Sequence, residues 1–214
     1  ALEQAARAAQ SWVDLADPAL MAGYRRQEEL VWTEHLVEHI ETALEEAGVI
    51  AGPERLPAMV FLDLVGYTHL TEERGDEVAA ELAGTLSELV ERSSRAHDGA
   101  PVKWLGDGVM FHFRDPADAV TFSLEMVQQV PNAGLPPAHI GVAAGPVVAQ
   151  GGDYFGRTVN LASRIAGRAR GGQVLVSKSV ADAATREQVG FIEVGEDNLK
   201  GFAKPVEVFE ARRS

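Results

Sequence analysis

Cysteine is absent from all 214 residues, and that excludes several chemistries at once. No disulfide framework, thiolate metal site or cysteine nucleophile is open to this chain. The absence suits a reducing compartment, and a cytoplasmic location is expected. Long apolar runs are missing too. No stretch reaches about 18 consecutive apolar residues and no signal-peptide pattern occurs, so no membrane contact is expected from this chain. Positive charge is scarce: 19 Lys and Arg against 32 Asp and Glu leave a net charge of −13. That balance argues against nucleic acid as a partner, because phosphate-backbone affinity depends on cationic side chains.

What is present is ordinary for a globular protein. The chain is 46% hydrophobic and 24% charged, enough for one sizeable core plus an appendage. Its charge is uneven, with acidic residues crowding the N-terminal part and Arg157, Arg164, Arg168 and Arg170 lying within fourteen residues. Such a basic segment could bind a small anion locally. Residues 18–48 read as a helix, with Asp17-Pro18 as cap and first position and Gly48 as its stop. Leu30, Val37 and Leu44 recur every seven residues, which fits a short coiled coil or a helix packed on its own domain. The expected organisation is a helical dimerisation or transducer segment over 1–50, a linker over 51–57 and one domain over 58–214. The chain begins at Ala1 rather than Met, which leaves room for an upstream regulatory segment.

From residue 58 the pattern is that of an α+β domain. AMVFLDLVGYTHL (58–70) starts as a buried strand. A helix follows in GDEVAAELAGTLSELVERSSRAHDG, with Val78, Leu82, Leu86, Leu89 and Val90 on one stripe. PVKWL and GVMFHF make two strands joined by a tight Gly-Asp-Gly turn. Asp115-Pro116 opens a helix carrying Val120, Ser123, Val127 and Val130, and HIGVAAGPVVA reads as the next strand. The order β-α-β-β-α-β is the ferredoxin-like arrangement. A helix near 157–169, the strand QVLVS, a short helix and strands near 190–194 and 205–210 form a C-terminal αβ extension.

Asp63 interrupts the first strand, where a carboxylate is costly unless something positive meets it. In a βαββαβ fold the end of strand one meets the turn between strands two and three. That turn, LGDG, carries Asp107. Two carboxylates held together repel unless a cation sits between them, and a hard divalent ion completed by phosphate oxygens suits the pair. Alone, Asp107 is equally well a turn former. Gly66 permits a sharp turn off the strand, and Thr68 is expected to cap the next helix, whose free N–H groups could cradle phosphate. Asn160 and Arg164, four apart, share a helix face and could orient a hydroxyl and stabilise phosphoryl charge. An exposed helical arginine is otherwise simply solvated.

FLDLVGYT, KWLGDGV and DYFGRTVNLASR together resemble the catalytic domain of class III nucleotidyl cyclases, over about residues 57–210. The resemblance implies two divalent cations, Mg or Mn, on Asp63 and Asp107, with Leu64 beside them. It implies substrate contacts from Gly66, Tyr67, Thr68 and Lys200, base recognition by Lys103 and Asp153, and catalytic roles for Asn160 and Arg164. The implied reaction converts ATP to 3′,5′-cyclic AMP and pyrophosphate. It also implies a homodimer, with the metal aspartates from one protomer and the remaining site residues from the other. Lysine donates to an adenine ring nitrogen and Asp153 accepts from its amine, whereas relatives acting on GTP use Glu and Cys at these positions. Lys103 read alone is a lysine guarding a sheet edge. The segment between strand and helix around AQGGD is short, so a looser dimer than in larger relatives is expected. Rival readings are a catalytically silent nucleotide-binding dimer module, a guanylyl or dual-specificity cyclase, and a plain dimerisation domain of a signalling protein.

Overall fold

Alternation along the first strand decides the layering of the domain. In β1 (Ala58–Leu64), Ala58, Val60, Leu62 and Leu64 join one core cluster, while Met59 and Phe61 join a second on the opposite face. A strand covered on both faces is a central one, and its neighbours confirm this. The structure, a computed structural model, describes residues 56–184 and 188–213. These fall in one unit of the chain, Gly52–Ser214. The helix expected over 18–48 and most of the expected linker lie outside the described residues.

After β1 come α1 (Tyr67–Arg74), α2 (Asp76–Ala96), β2 (Gly99–Leu105), β3 (Gly108–Phe113), α3 (Pro116–Asn132) and β4 (Ala138–Ala144). A two-stranded ribbon of β5 (Val148–Gln150) and β6 (Asp153–Phe155) precedes α4 (Arg157–Ala166). The chain then runs through β7 (Val174–Ser177), α5 (Lys178–Ala183), β8 (Val189–Asp197) and β9 (Val206–Arg213). The main sheet has the order β2-β3-β1-β4-β7-β9-β8, with β4 parallel to β7 and the other pairs antiparallel. The first four strands thus form the expected βαββαβ core, its first helix divided at Gly75. Among the described residues no helix is long and apolar enough to cross a membrane.

One face of the sheet is covered by α2 and α3. Asp115 opens α3 by accepting from the Ala117 N–H at 2.8 Å, and Pro116 supplies the first helical residue. Phe122 of α3 packs on Phe111 and Phe113 with ring centroids 4.8 and 5.1 Å apart. Truncating Phe122 to alanine would cost about 3–5 kcal/mol.

The other face carries α4, the helix of Asn160 and Arg164. Gly141 of β4 allows that contact. A Cβ there would lie 2.1 Å from the Ala166 nitrogen and 2.5 Å from the Ala162 carbonyl oxygen. Any side chain at 141 would lift α4 and displace Asn160 and Arg164 with it.

The strand expected through HIGVAAGPVVA is shorter than its hydrophobicity implies. It ends at Ala144, because Gly145-Pro146 offers no continuous ladder and Pro146 lacks an N–H. The Pro146 carbonyl accepts instead from Thr158 Oγ1 at 2.7 Å. The chain reverses through Gly151-Gly152 at φ 62° and 77°, a two-residue turn with both residues left-handed. AQGGD is therefore one hairpin of the ribbon.

Candidate active site

Two groups of side chains stand out, built on different parts of the sheet. The first lies where β1 ends. Leu62 of β1 faces Val109 of β3, so Asp63 comes level with the tip of the β2–β3 hairpin, whose two-residue turn is Gly106-Asp107. A Cβ on Gly108 would sit 3.1 Å from Asp63 Oδ1, which measures how closely the hairpin passes. Asp63, Leu64, Gly66, Tyr67 and Asp107 line one open cavity of about 620 Å³.

The reading of Asp63 as a buried carboxylate needs correction. Its side chain is 46% exposed. Its apolar sequence neighbours are buried, but Asp63 closes the strand on the face of Met59 and Phe61, opening into the cavity. Thr68 is also not the cap of the next helix. That helix is entered from Gly66 at φ 71° with no capping side chain, and Thr68 falls within its first turn. Tyr67 instead ties α1 to α2, its hydroxyl donating to the Ala79 carbonyl at 3.0 Å.

His139 escaped the sequence reading and belongs to this group. The β1–β4 register sets it opposite Asp63, and its Nε2 lies 3.5 Å from Asp63 Oδ2. Its Nδ1–H donates to the Ala166 carbonyl at the end of α4, at 2.9 Å. The contact with Asp63 holds the ring above its ordinary pKa, and the Ala166 carbonyl adds to the effect. Asp107 is likewise pushed up, first by burial and then by the Asp63 charge, with its own backbone N–H and His139 opposing. A histidine facing the other carboxylate only partly relieves this repulsion. Among the described residues no group of three or more His, Cys, Asp or Glu side chains is arranged to hold a metal ion. Two hard carboxylates in an open cavity nevertheless fit a divalent ion that draws its remaining ligands from phosphate and water, which is the habit of Mg²⁺.

The second group lies on the edge strand and the ribbon. Lys103 of β2 donates from Nζ to Asp153 Oδ2 at 2.6 Å, although fifty residues separate them. Asp153 Oδ1 accepts from the Tyr154 N–H at 2.9 Å, which fixes its rotamer. Tyr154 is buried and stacks on His112 of β3, with ring centroids 4.6 Å apart and planes 7° from parallel. That stack anchors the ribbon and so aims Asp153. Asn160 and Arg164 are both exposed on α4, four residues apart as expected. Neither they nor the exposed Lys200 line the cavity of the aspartates. Arg157 lies over the Phe202 ring, 5.0 Å from its centroid.

A family model described as the adenylate and guanylate cyclase catalytic domain matches residues 54–210. The chain is 36% identical over 184 residues to a pH-sensitive adenylate cyclase of Mycobacterium tuberculosis, a match covering 81% of this chain and 46% of that protein. It therefore spans less than half the length of that relative. Among solved structures it is similar to the adenylyl cyclase CyaB from P. aeruginosa, with a TM-score of 0.66 at 24% identity over 75% of this chain and 96% of the other. It is also similar to the guanylate cyclase domain of RhGC from Catenaria anguillulae, solved in complex with GTP, with a TM-score of 0.63 at 17% identity over 74% and 97% of the two chains. At these identities the structural likeness is one of fold. The family match runs through every strand of the main sheet, and on that ground this chain belongs to the class III adenylyl and guanylyl cyclase catalytic-domain family.

Proposed function

We propose that this domain is an adenylyl cyclase, converting ATP to 3′,5′-cyclic AMP and pyrophosphate at sites shared between two copies of the chain. The observation that carries the reading is the meeting of Asp63 and Asp107 in one open cavity, two carboxylates whose repulsion is unresolved within the chain. These two residues would hold the divalent cations, Mg²⁺ or Mn²⁺, which when bound supply Lewis-acid charge against the triphosphate and the ribose 3′-hydroxyl. In the reaction the O3′–Pα bond forms and the bond from Pα to the bridging oxygen breaks. Pyrophosphate leaves, and the hydroxyl proton passes to solvent. Asn160 orients the ribose, and Arg164 stabilises the charge developing on the transferred phosphoryl group. Lys200 and the α1 entry at Gly66, Tyr67 and Thr68 contact the phosphates.

Lys103 and Asp153 support adenine as the base. Together they offer a donor and an acceptor, the pattern complementary to adenine and the reverse of guanine at that edge. The likeness to a domain solved with GTP keeps guanylyl activity as the runner-up. The homodimer is supported by the separation of the two groups, since Asn160 and Arg164 do not line the aspartates' cavity in the same chain. It is supported also by Trp104, Leu105, Val148 and Phe155, large apolar side chains left exposed around β2 and the ribbon. A domain using ATP in this way belongs in the cytoplasm. An N-terminal segment over 1–50 and any upstream regulatory domain would set the orientation of the two copies.

The test is complementation. Asp107→Ala and Arg164→Ala should each be inactive with Mn²⁺-ATP, and their mixture should regain activity through one intact composite site. A mixture that stays inactive while both variants fold and dimerise would refute the shared site. Running GTP beside ATP decides the base.

A further inference from the structure

Four arginines lie between residues 157 and 170, and three are accounted for. Arg157 covers Phe202, Arg168 pairs with Asp197, and Arg164 has the transition-state role proposed above. Arg170 is exposed and makes no ion pair among the described residues. Its backbone is nonetheless held firmly. The Arg170 N–H donates to Gln173 Oε1 at 3.0 Å, and its carbonyl accepts from the Gln173 N–H at 2.8 Å. The turn fixes the Cα through Arg170's own backbone atoms alone.

Arg170 lines two cavities. One is the cavity of Asp63 and Asp107; the other, of about 550 Å³, contains Glu196, Asp197 and Glu210. In the latter, Asp197 is engaged by Arg168, and Glu210 accepts from Gln173 and Arg212. Two of its three carboxylates therefore have partners already. In the aspartates' cavity the only other nitrogen base among the lining residues is the His139 ring, which is turned to Asp63. Two divalent cations would offset the two carboxylates and only part of a triphosphate's charge. The remaining negative charge needs a protein cation, and a planar guanidinium can grip phosphate oxygens in bidentate fashion.

We propose that Arg170 binds the terminal phosphates of the substrate in the cavity of Asp63 and Asp107, and holds the pyrophosphate after the bond has broken. The inference rests on the proposed cyclase reading and adds a phosphate-binding residue contributed by the same protomer as the aspartates. Arg168, two residues away, takes no part because Asp197 already holds it.

The experiment measures Mg²⁺-dependent pyrophosphate binding by calorimetry on the full chain, and KM and kcat for Mg-ATP, for the wild type, Arg170→Gln, Arg170→Lys and Arg168→Gln. Arg170→Gln should weaken pyrophosphate binding and raise KM by about five- to tenfold, the scale of one hydrogen-bonded charge, with kcat within about twofold. Arg170→Lys should recover most of the loss, and Arg168→Gln should match the wild type. Pyrophosphate binding by Arg170→Gln within about twofold of wild type overturns the proposal, as does an equal loss in Arg168→Gln. An active wild type with unchanged Arg170→Gln binding sinks this inference alone. A wild type that cyclises no nucleotide, yet binds pyrophosphate through Arg170, sinks the cyclase reading and leaves the phosphate site standing.

Discussion

The two side-chain groups of the domain differ in how far the chain satisfies them. Lys103 and Asp153 form a closed pair at 2.6 Å, on an edge strand and a short ribbon, with each polar atom partnered within the protein. Asp63 and Asp107 sit at the end of a central strand and at a hairpin tip, held together by sheet register, and His139 and the Asp107 backbone N–H offset their repulsion only in part. The first group is satisfied within the chain; the second carries a repulsion that a bound cation would relieve. The unfavourable pair is built on the central strand β1 and the tip of the β2–β3 hairpin, brought level by sheet register. The favourable pair joins an edge strand to the ribbon, and in the proposed reaction its two side chains would exchange each other for a base.

The strongest way to break this comparison is Asp107→Asn. If the carboxylate is kept for metal and not for folding, activity should fall by about a thousandfold, corresponding to several kcal/mol of lost charge stabilisation. The melting temperature should stay level or rise slightly, because burial and the Asp63 charge both work against ionised Asp107. Turnover with Mn²⁺-ATP and a thermal melt check both halves, and a melt several degrees lower would show that the carboxylate stabilises the fold. A smaller effect is expected at the closed pair. The double change Lys103→Glu with Asp153→Cys should raise the ratio of GTP to ATP turnover by at least about tenfold, since it reverses donor and acceptor at the base edge. Exposed ion pairs contribute about 0–1 kcal/mol, so the melt should hardly move. An unchanged ratio in a folded dimer would remove Lys103 and Asp153 from base recognition.

The sequence revealed these two groups unequally. Asp63 and Asp107 could be joined from the order of elements alone, because a βαββαβ core brings the end of β1 to the β2–β3 turn and LGDG marks that turn. Lys103 and Asp153 could be joined only through family resemblance. Their contact depends on the ribbon docking through Tyr154 on His112, and a three-residue strand has too little pattern to announce itself. His139 was hidden for a related reason: it meets Asp63 through β1–β4 register, which hydrophobic alternation does not specify to the residue. The buried neighbours of Asp63 imply a buried carboxylate, yet the last polar position of a covered strand can open into a cavity. Arg170 stood in plain view within a basic cluster. Distinguishing it from Arg168 required knowing that Asp197 of β8 comes back to meet the latter.

The smallest expected effect follows from protons in the unsatisfied group. His139 is held above its ordinary value of 6.5, chiefly by its contact with Asp63, and Asp107 is held above 3.8, chiefly by burial. In both cases the folded chain binds more protons than the unfolded one between the ordinary and the raised pKa, so stability must fall as pH rises through that window. For His139 the contribution is complete below 6.5 and is lost as pH climbs through the raised value. For Asp107 the corresponding loss begins above 3.8. The metal-free chain should therefore melt slightly lower as pH is raised from about 6 through neutrality, by a few degrees at most because both groups are partly exposed. His139→Gln should flatten that slope. Saturating Mg²⁺ or Mn²⁺ should oppose it, since a divalent ion favours ionised carboxylates and a neutral ring. The closed pair offers a matched control: Lys103→Ala should leave the slope as it is. A metal-free melt that rises across this window, or a slope unaffected by His139→Gln, would mean that Asp63 and His139 are not coupled in solution.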